Sequence, residues 1–264
     1  MTIYATLPYR TPLIKESGDR ALQTSTQEPG LRESSGPFLD YLETWQQSLA
    51  SASLAELILS AGGPEHVGIF CVDVINGFCH EGPLHSDRVK GIIAPIRQLF
   101  TAAYAAGVRN FVLPQDTHSP HAAEFAAYPP HCIRDTSESQ TVPELAELPF
   151  AASFTIFPKN AVHAGVGTPL NAWLDTHPEI THFIVVGDCT DICAYHLALH
   201  LKFRANAADR PDTVLIPVEC VDTYDTPLAV AQQLGIPAHP ADLYHTLFLY
   251  SMAQNGVRIV RDLR

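Results

Sequence analysis

The sequence is short of positive charge, of cysteine and of long apolar runs, and each shortage removes a class of function. Sixteen Lys and Arg stand against 28 Asp and Glu, leaving a formal net charge of −12. The basic residues are scattered, and close pairs such as Lys202 and Arg204 fall on a helical pattern, so no basic surface for nucleic acid is expected. No apolar run reaches the roughly 18 residues that a membrane-spanning helix needs. The first residues, with Tyr4, Arg10, Lys15 and Glu16, lack the apolar core of a secretory signal. Six cysteines in 264 residues are too few for a disulfide-stapled secreted scaffold, and no Cys-x-x-Cys pair occurs to build a thiolate zinc knuckle. The expectation is a cytoplasmic chain with reduced thiols and neither a membrane nor a nucleic-acid partner. No internal repeat is present.

What is there fits a folded enzyme-sized domain: 46% of the residues are hydrophobic and 17% charged, enough apolar surface for a substantial core. Residues 1 to about 36 are rich in Thr, Ser, Pro, Glu and Gly and read as an extended arm. Residues 37–59 carry apolar side chains at helical spacing, which predicts one or two helices with Trp45 as a packing anchor. After Gly62-Gly63-Pro64 the character changes. Apolar runs at 67–72, 109–113, 154–157, 181–186, 213–221 and 257–260 alternate with helical patterns at 86–106, 169–176, 191–201 and 241–253. This alternation predicts an α/β fold: three α/β/α layers around a mostly parallel sheet of about six strands, spanning residues 66–264 behind an N-terminal extension of residues 1–65.

Several chemically able residues fall where such strands end. The run Phe183 to Val186 breaks at Gly187, and a helical pattern resumes at Asp191 and passes through Tyr195, Leu197 and Leu201. Cys193 then lies in the first turn of a helix, where the macrodipole favours a thiolate and free N–H groups can face an oxyanion. A buried cysteine packed as a small hydrophobe is the plainer account of the same residue. Asp73 closes the first strand and Lys159 the third. A desolvated carboxylate could serve Cys193 as base, and a lysine could hold it and stabilise negative charge. Taken singly, a turn aspartate and a solvated lysine explain both.

The loop over residues 115–141 gathers a second set. Asp116-Thr117-His118 can point a carboxylate and an imidazole the same way from extended backbone. Further ligands could come from Glu124, His121 or His131. Such a set, without thiolate, suits zinc, iron or manganese. Thirteen histidines in the chain also make some clustering unremarkable.

These segments carry a resemblance. Asp73-Val74-Ile75-Asn76-Gly77-Phe78-Cys79, Asp116-Thr117-His118, Tyr128-Pro129-Pro130-His131-Cys132-Ile133, Lys159 and Gly187-Asp188-Cys189-Thr190-Asp191-Ile192-Cys193 occur in the order found in nicotinamidases. The chain thus resembles the nicotinamidase family of the isochorismatase-like cysteine hydrolase superfamily, and Ala238-His239-Pro240 is similar to plant-type members. The resemblance covers roughly residues 66–264. It implies Asp73 as general base, Lys159 as its partner and Cys193 as nucleophile, with the backbone N–H groups of Cys189 and Cys193 as an oxyanion hole behind a cis peptide. It implies Asp116, His118 and His131 as ligands of a divalent metal, zinc foremost, with Glu124 or else His121 completing the set. Phe78 and Tyr128 would flank a pyridine ring. The implied reaction is hydrolysis of nicotinamide to nicotinic acid and ammonia through a cysteine thioester, and a homo-oligomer is in keeping with the family. The alternatives are a superfamily relative acting on another small amide or carbamoyl compound, and a non-catalytic scaffold of the same fold. Residues 160–165 depart from the family pattern, and the first 65 residues lie outside it.

Overall fold

Strand β1 (Val67–Val72) is buried at every position, as an unbroken apolar run must be when both faces of a strand are covered. In the computed structural model, which describes residues 30–264, it pairs in parallel with β2 (Asn110–Asp116) on one side and β4 (His182–Asp188) on the other. β3 (Thr155–Lys159) extends the sheet beyond β2. Beyond β4 lie β5 (Thr213–Pro217) and β7 (Arg258–Val260), giving the order β3-β2-β1-β4-β5-β7 with parallel neighbours throughout. Six strands therefore form one path, as expected. A seventh, the short β6 (Val221–Asp222), pairs with the end of β4. It arises because the apolar run at 213–221 is divided after Pro217 by a 3-10 turn, Val218–Cys220.

Alternate residues of the strands feed two separate cores, as the period of two dictates. Ile69, Cys71, Phe111, Leu113, Ile184 and Val186 pack with helices α2 (Leu54–Ala61) and α5 (Ile93–Ala105). Phe70, Val72, Val112, Phe183 and Val185 pack with α7 (Leu170–Thr176), α8 (Cys193–Ala207) and α10 (Ala241–Gln254). The result is three layers, α/β/α. The short helices α3 (Asn76–Cys79), α4 (Asp87–Gly91), α6 (Pro143–Ala146) and α9 (Leu228–Leu234) occupy the connections. Among the described residues no helix is long and apolar enough to cross a membrane.

The helix expected over 86–106 is two, α4 and α5, and β2 runs past Leu113 to Asp116; two further expectations change beside Cys193. The break placed at Gly187 is instead the last stretch of β4, which continues to Asp188. Gly187 has φ +111°, and a Cβ there would stand 1.9 Å from the Val72 carbonyl oxygen. The glycine marks a close approach of β4 to β1, not a strand end. Helix α8 starts at Cys193, two residues later than the pattern predicts, with Ile192 as its cap residue.

The chain divides into a unit up to Phe38 and a compact unit Leu39–Arg264. Of the arm expected over residues 1 to about 36, residues 1–29 lie outside the described residues, and helix α1 (Leu31–Gln47) already runs through the remainder with Pro37 inside it. Within the larger unit, Leu42 of α1 is buried and Trp45 meets Tyr250 of α10 edge-on at 5.1 Å. Residues 50–54 pair with the last residues of the chain: Ala52 bridges Leu263, Arg261 N–H donates to the Ala50 carbonyl, and Arg264 N–H donates to that of Ala52.

Candidate active site

Parallel register aligns the carboxyl ends of the central strands. Val72 pairs with Gly187, Asp116 with Lys159, and Asp188 with Asp222. The chain builds outward from β1 to β2 and β3 on one side, and from β4 to β5 and β7 on the other. The β1–β4 boundary is thus the point where the strand order reverses, and ligands of open α/β sheets bind in the crevice outside such a point. Asp73 follows β1 there, in the left-handed region with φ 59°, a conformation Asp tolerates better than most residues. Its N–H donates to the Pro114 carbonyl, and its Oδ1 accepts the Asp116 N–H at 2.7 Å. These two bonds tie the Asp73 backbone and side chain to β2.

Lys159, 1% exposed, brings the strand ends together. Its Nζ lies 2.6 Å from Asp116 Oδ1, 2.8 Å from Asp73 Oδ2 and 3.7 Å from Cys193 Sγ. Asp73, Asp116 and Cys193 could by spacing surround a cation, and the ammonium of Lys159 already stands among them. Its donors are directed at Asp116 and Cys193, so Asp73 Oδ2 has an ionic neighbour but no aligned donor. Burial, then the Asp116 charge, raise Asp73 to about 7, against the pull of Lys159. Asp116 stays below the usual carboxylate range: burial acts to raise it, but Lys159 and His118 outweigh that. Burial likewise opposes the charge on Lys159, and its two carboxylates and Cys193 more than restore it.

Cys193 is the first residue of α8 and is 7% exposed. Burial pushes its thiol well above the ordinary value; Lys159 opposes, while Asp73 and Asp116 add to the rise. Beside it stands the Asp73 carboxyl, raised to about 7, an arrangement that can pass one proton between the two groups. In the turn before Cys193 the Asp188–Cys189 peptide is cis. Ile192 and Ala194 N–H groups donate to the Cys189 carbonyl, and Thr190 N–H to that of Asp222. Among the described residues the N–H groups of Cys189 and Cys193 have no acceptor.

The second set assembles beside the first. His118 pairs its backbone with the chain at Ile133, its N–H donating to the Cys132 carbonyl, and this pairing places His131 against it, ring centroids 4.6 Å apart. His118 is fully buried, with Nε2 3.4 Å from Asp116 Oδ1 and 3.9 Å from Glu124 Oε1. Neither of its ring nitrogens has a hydrogen-bond partner. His131 donates from Nδ1 to the Pro129 carbonyl at 2.8 Å, which leaves a lone pair on Nε2, 4.0 Å from Asp116 Oδ2. An orphaned buried imidazole, a second one held in the ligating tautomer and a shared carboxylate fit a divalent cation. One donor atom from each of Asp116, His118 and His131 lies within 4.8 Å of the others. Burial works against protonating His118, but Asp116 and Glu124 raise its affinity for positive charge overall. Of the two further candidates, Glu124 is beside His118 and its Oε2 accepts the Val162 N–H, whereas His121 is exposed and stands in no such group.

Aromatic rings border this set of ligating groups. Phe78 lies 5.6 Å and Tyr128 6.1 Å from the His131 ring, centroid to centroid. Phe125, which the sequence reading passes over, packs 5.4 Å from His118 and 5.6 Å from His131. Its only advance signal is an aromatic residue inside a polar loop rich in ligating groups.

The isochorismatase domain model matches residues 67–234. The chain is also 32% identical over 215 residues to Nicotinamidase 1 of Arabidopsis thaliana, covering 75% of this chain and 86% of that protein. The chain belongs to the isochorismatase family. Solved structures share the family fold. The nicotinamidase of Bacillus subtilis aligns with a TM-score of 0.58 at 22% identity, over 74% of this chain and 99% of its own. The pyrazinamidase of Pyrococcus horikoshii in complex with zinc aligns at 0.57 and 19%, over 74% and 99%. At these identities the likeness speaks for the fold.

Proposed function

We propose that this isochorismatase-family protein is an amidase that hydrolyses nicotinamide to nicotinic acid and ammonia through a thioester on Cys193. The observation that carries the reading is the position of Asp116. Its carboxylate accepts from Lys159, next to Asp73 and Cys193, and also faces His118 and His131. Nucleophile and cation-binding donors are therefore joined through one carboxylate, an arrangement suited to a substrate with a carboxamide and a ring nitrogen. The identity to a plant nicotinamidase supports the choice of substrate.

In this reading Asp73 takes the Cys193 proton as the thiolate attacks the carboxamide carbon. Lys159 stays charged between the two carboxylates and offsets the negative charge of the attacking sulfur. The N–H groups of Cys189 and Cys193 receive the tetrahedral oxyanion. Asp73 returns its proton to the departing nitrogen, ammonia leaves, and the acyl group remains on sulfur. A water then attacks the thioester, giving its proton to Asp73, and collapse releases nicotinic acid and the thiol. Phe78 and Tyr128 hold the ring between apolar faces and fix its angle to Cys193. Asp116, His118, His131 and Glu124 would hold a divalent metal, zinc foremost, which when bound supplies a Lewis acid for the ring nitrogen or a water. The six cysteines are free, in keeping with a cytoplasmic location.

The test is ammonia release from nicotinamide by the wild type and by Cys193→Ala. Turnover falls by at least about a thousandfold in the variant, with an unchanged circular dichroism spectrum. A variant that keeps a tenth of the activity removes Cys193 as nucleophile. A wild type that releases ammonia only from a carbamoyl compound replaces the substrate.

A further inference from the structure

The turn that carries Cys193 is fastened from behind by two histidines some fifty residues further along the chain. His239 is 7% exposed. Its Nε2 lies 2.8 Å from Asp191 Oδ2, and its Nδ1 lies 2.8 Å from the Tyr224 carbonyl oxygen. A carboxylate and a carbonyl can only accept, so both ring nitrogens donate and the ring is an imidazolium. Tyr224 stacks on it at 3.9 Å and 16°, and Tyr244 meets it edge-on at 4.5 Å, a π environment that suits a cation. His245, also 7% exposed, places Nδ1 2.9 Å from Thr190 Oγ1.

Thr190 and Asp191 sit between Cys189 and Cys193. These two fastened residues thus lie between the two amides that have no acceptor, while the intervening amides of Thr190 and Ile192 are engaged with the Asp222 and Cys189 carbonyls, respectively. A donor pair accelerates acyl transfer only if its direction is set before the oxyanion forms. The Asp191 backbone N–H and the Thr223 side chain also act on the Asp191 carboxylate, but the charged partner comes from His239, in the segment leading into α10.

We propose that His239, as the partner of Asp191, is a positioning residue that fixes the Cys189 and Cys193 amides for acyl transfer. The inference rests on the amidase reading of this site. Two variants test it: His239→Ala, and Asp191→Asn, which keeps the shape but loses the charge should the first fail to fold. On nicotinamide kcat falls about 10- to 100-fold in each while KM stays within about threefold, a share of the 10²–10³ that one oxyanion donor is worth. Alkylation of Cys193 by iodoacetamide, read against a Cys193→Ala blank, needs the thiolate but no oxyanion site and keeps its wild-type rate. Wild-type turnover in both variants overturns the proposal, and so does a fall in alkylation that parallels the fall in kcat, because the fault then lies in the nucleophile or the fold. Acylation by p-nitrophenyl acetate separates the two readings. If the wild type ignores nicotinamide but its ester acylation still depends on His239, the substrate is wrong and the positioning role stands. Ester acylation that is indifferent to His239, or absent altogether, overturns it.

Discussion

Lys159 is a charged side chain buried away from bulk solvent, so its neighbours decide whether the fold can hold it. Asp73 and Asp116 approach within 2.8 and 2.6 Å, and both are buried. Two carboxylates this close repel unless a cation lies between them. Replacing Lys159 with Met keeps the volume and removes that cation, leaving an uncompensated buried charge or forcing Asp73 and Asp116 to bind protons. Breaking a buried pair by removing one partner costs about 3–5 kcal/mol, and Lys159→Met is expected to lose that much in urea denaturation at pH 7. Activity on nicotinamide should fall at least about a hundredfold, since the proton acceptor and the thiol lose their common electrostatic partner. A loss under about 1 kcal/mol would mean that the carboxylates do not depend on the ammonium.

The element that matters most is the passage from β4 through its turn into α8, and two substitutions probe its two ends. Gly187→Ala forces a side chain to φ +111° and drives a Cβ into the Val72 carbonyl; strain and overpacking together should cost about 3 kcal/mol or more, read as a drop in Tm. Further along α8, burial and then the neighbouring His163 and Arg204 lower His200 from its ordinary 6.5 to about 4. The folded state thus prefers a neutral ring, and between these values the unfolded chain binds more protons. The contribution is complete above about pH 6.5 and is lost as pH falls through about 4. The urea midpoint should decline over that window, and His200→Gln, whose amide still donates to Asn171 Oδ1, should flatten the decline. An unaltered slope would assign it to other histidines lowered by burial, such as His163 and His245. Strands β1, β2 and β4 were legible in the sequence because buried strands read as unbroken apolar runs, and each delivers a polar residue where it stops. Asp73 and Asp116 could be found that way, and Lys159 because the shorter apolar run at 154–157 stops just before it. The true start of α8 could not, because Ile192 makes no side-chain cap that would mark it. β6 was hidden by an apolar run that continues across Pro217. The His239–Asp191 pair was illegible because its partners lie 48 residues apart, and no local pattern encodes that distance.

On the scale of the whole molecule, the family match and the folded unit do not start at the same place. The isochorismatase match begins at residue 67, but the compact unit begins at Leu39. The intervening segment buries Leu42, Leu49, Leu54 and Leu57. Ser51 Oγ donates to Asp262 Oδ2 at 2.8 Å, the Arg261 guanidinium donates to the Leu49 carbonyl, and Leu54 N–H donates to that of Arg264. Fully burying a leucine is worth about 1.5–3 kcal/mol, so four of them approach the whole net stability of an ordinary domain, about 5–15 kcal/mol. Removing the segment also uncovers the α5 residues that share a core with Leu54 and Leu57, and the α10 ring of Tyr250 that Trp45 meets. A chain consisting of residues 67–264 is therefore expected to lose its cooperative thermal transition or to precipitate, although it keeps every residue of the proposed site. Removing only residues 262–264 breaks the backbone pairing beyond Arg261 and takes away the buried Leu263, but leaves the four leucines of the segment in the chain. At about 1 kcal/mol for each hydrogen bond, that shorter deletion should lower Tm by several degrees and leave the transition cooperative. Residues 39–66 are then a structural part of the enzyme. A chain starting at residue 67 that melts cooperatively within about 5 °C of the full protein would instead make them an appendage, because a shift that small corresponds to only a couple of kcal/mol at this size.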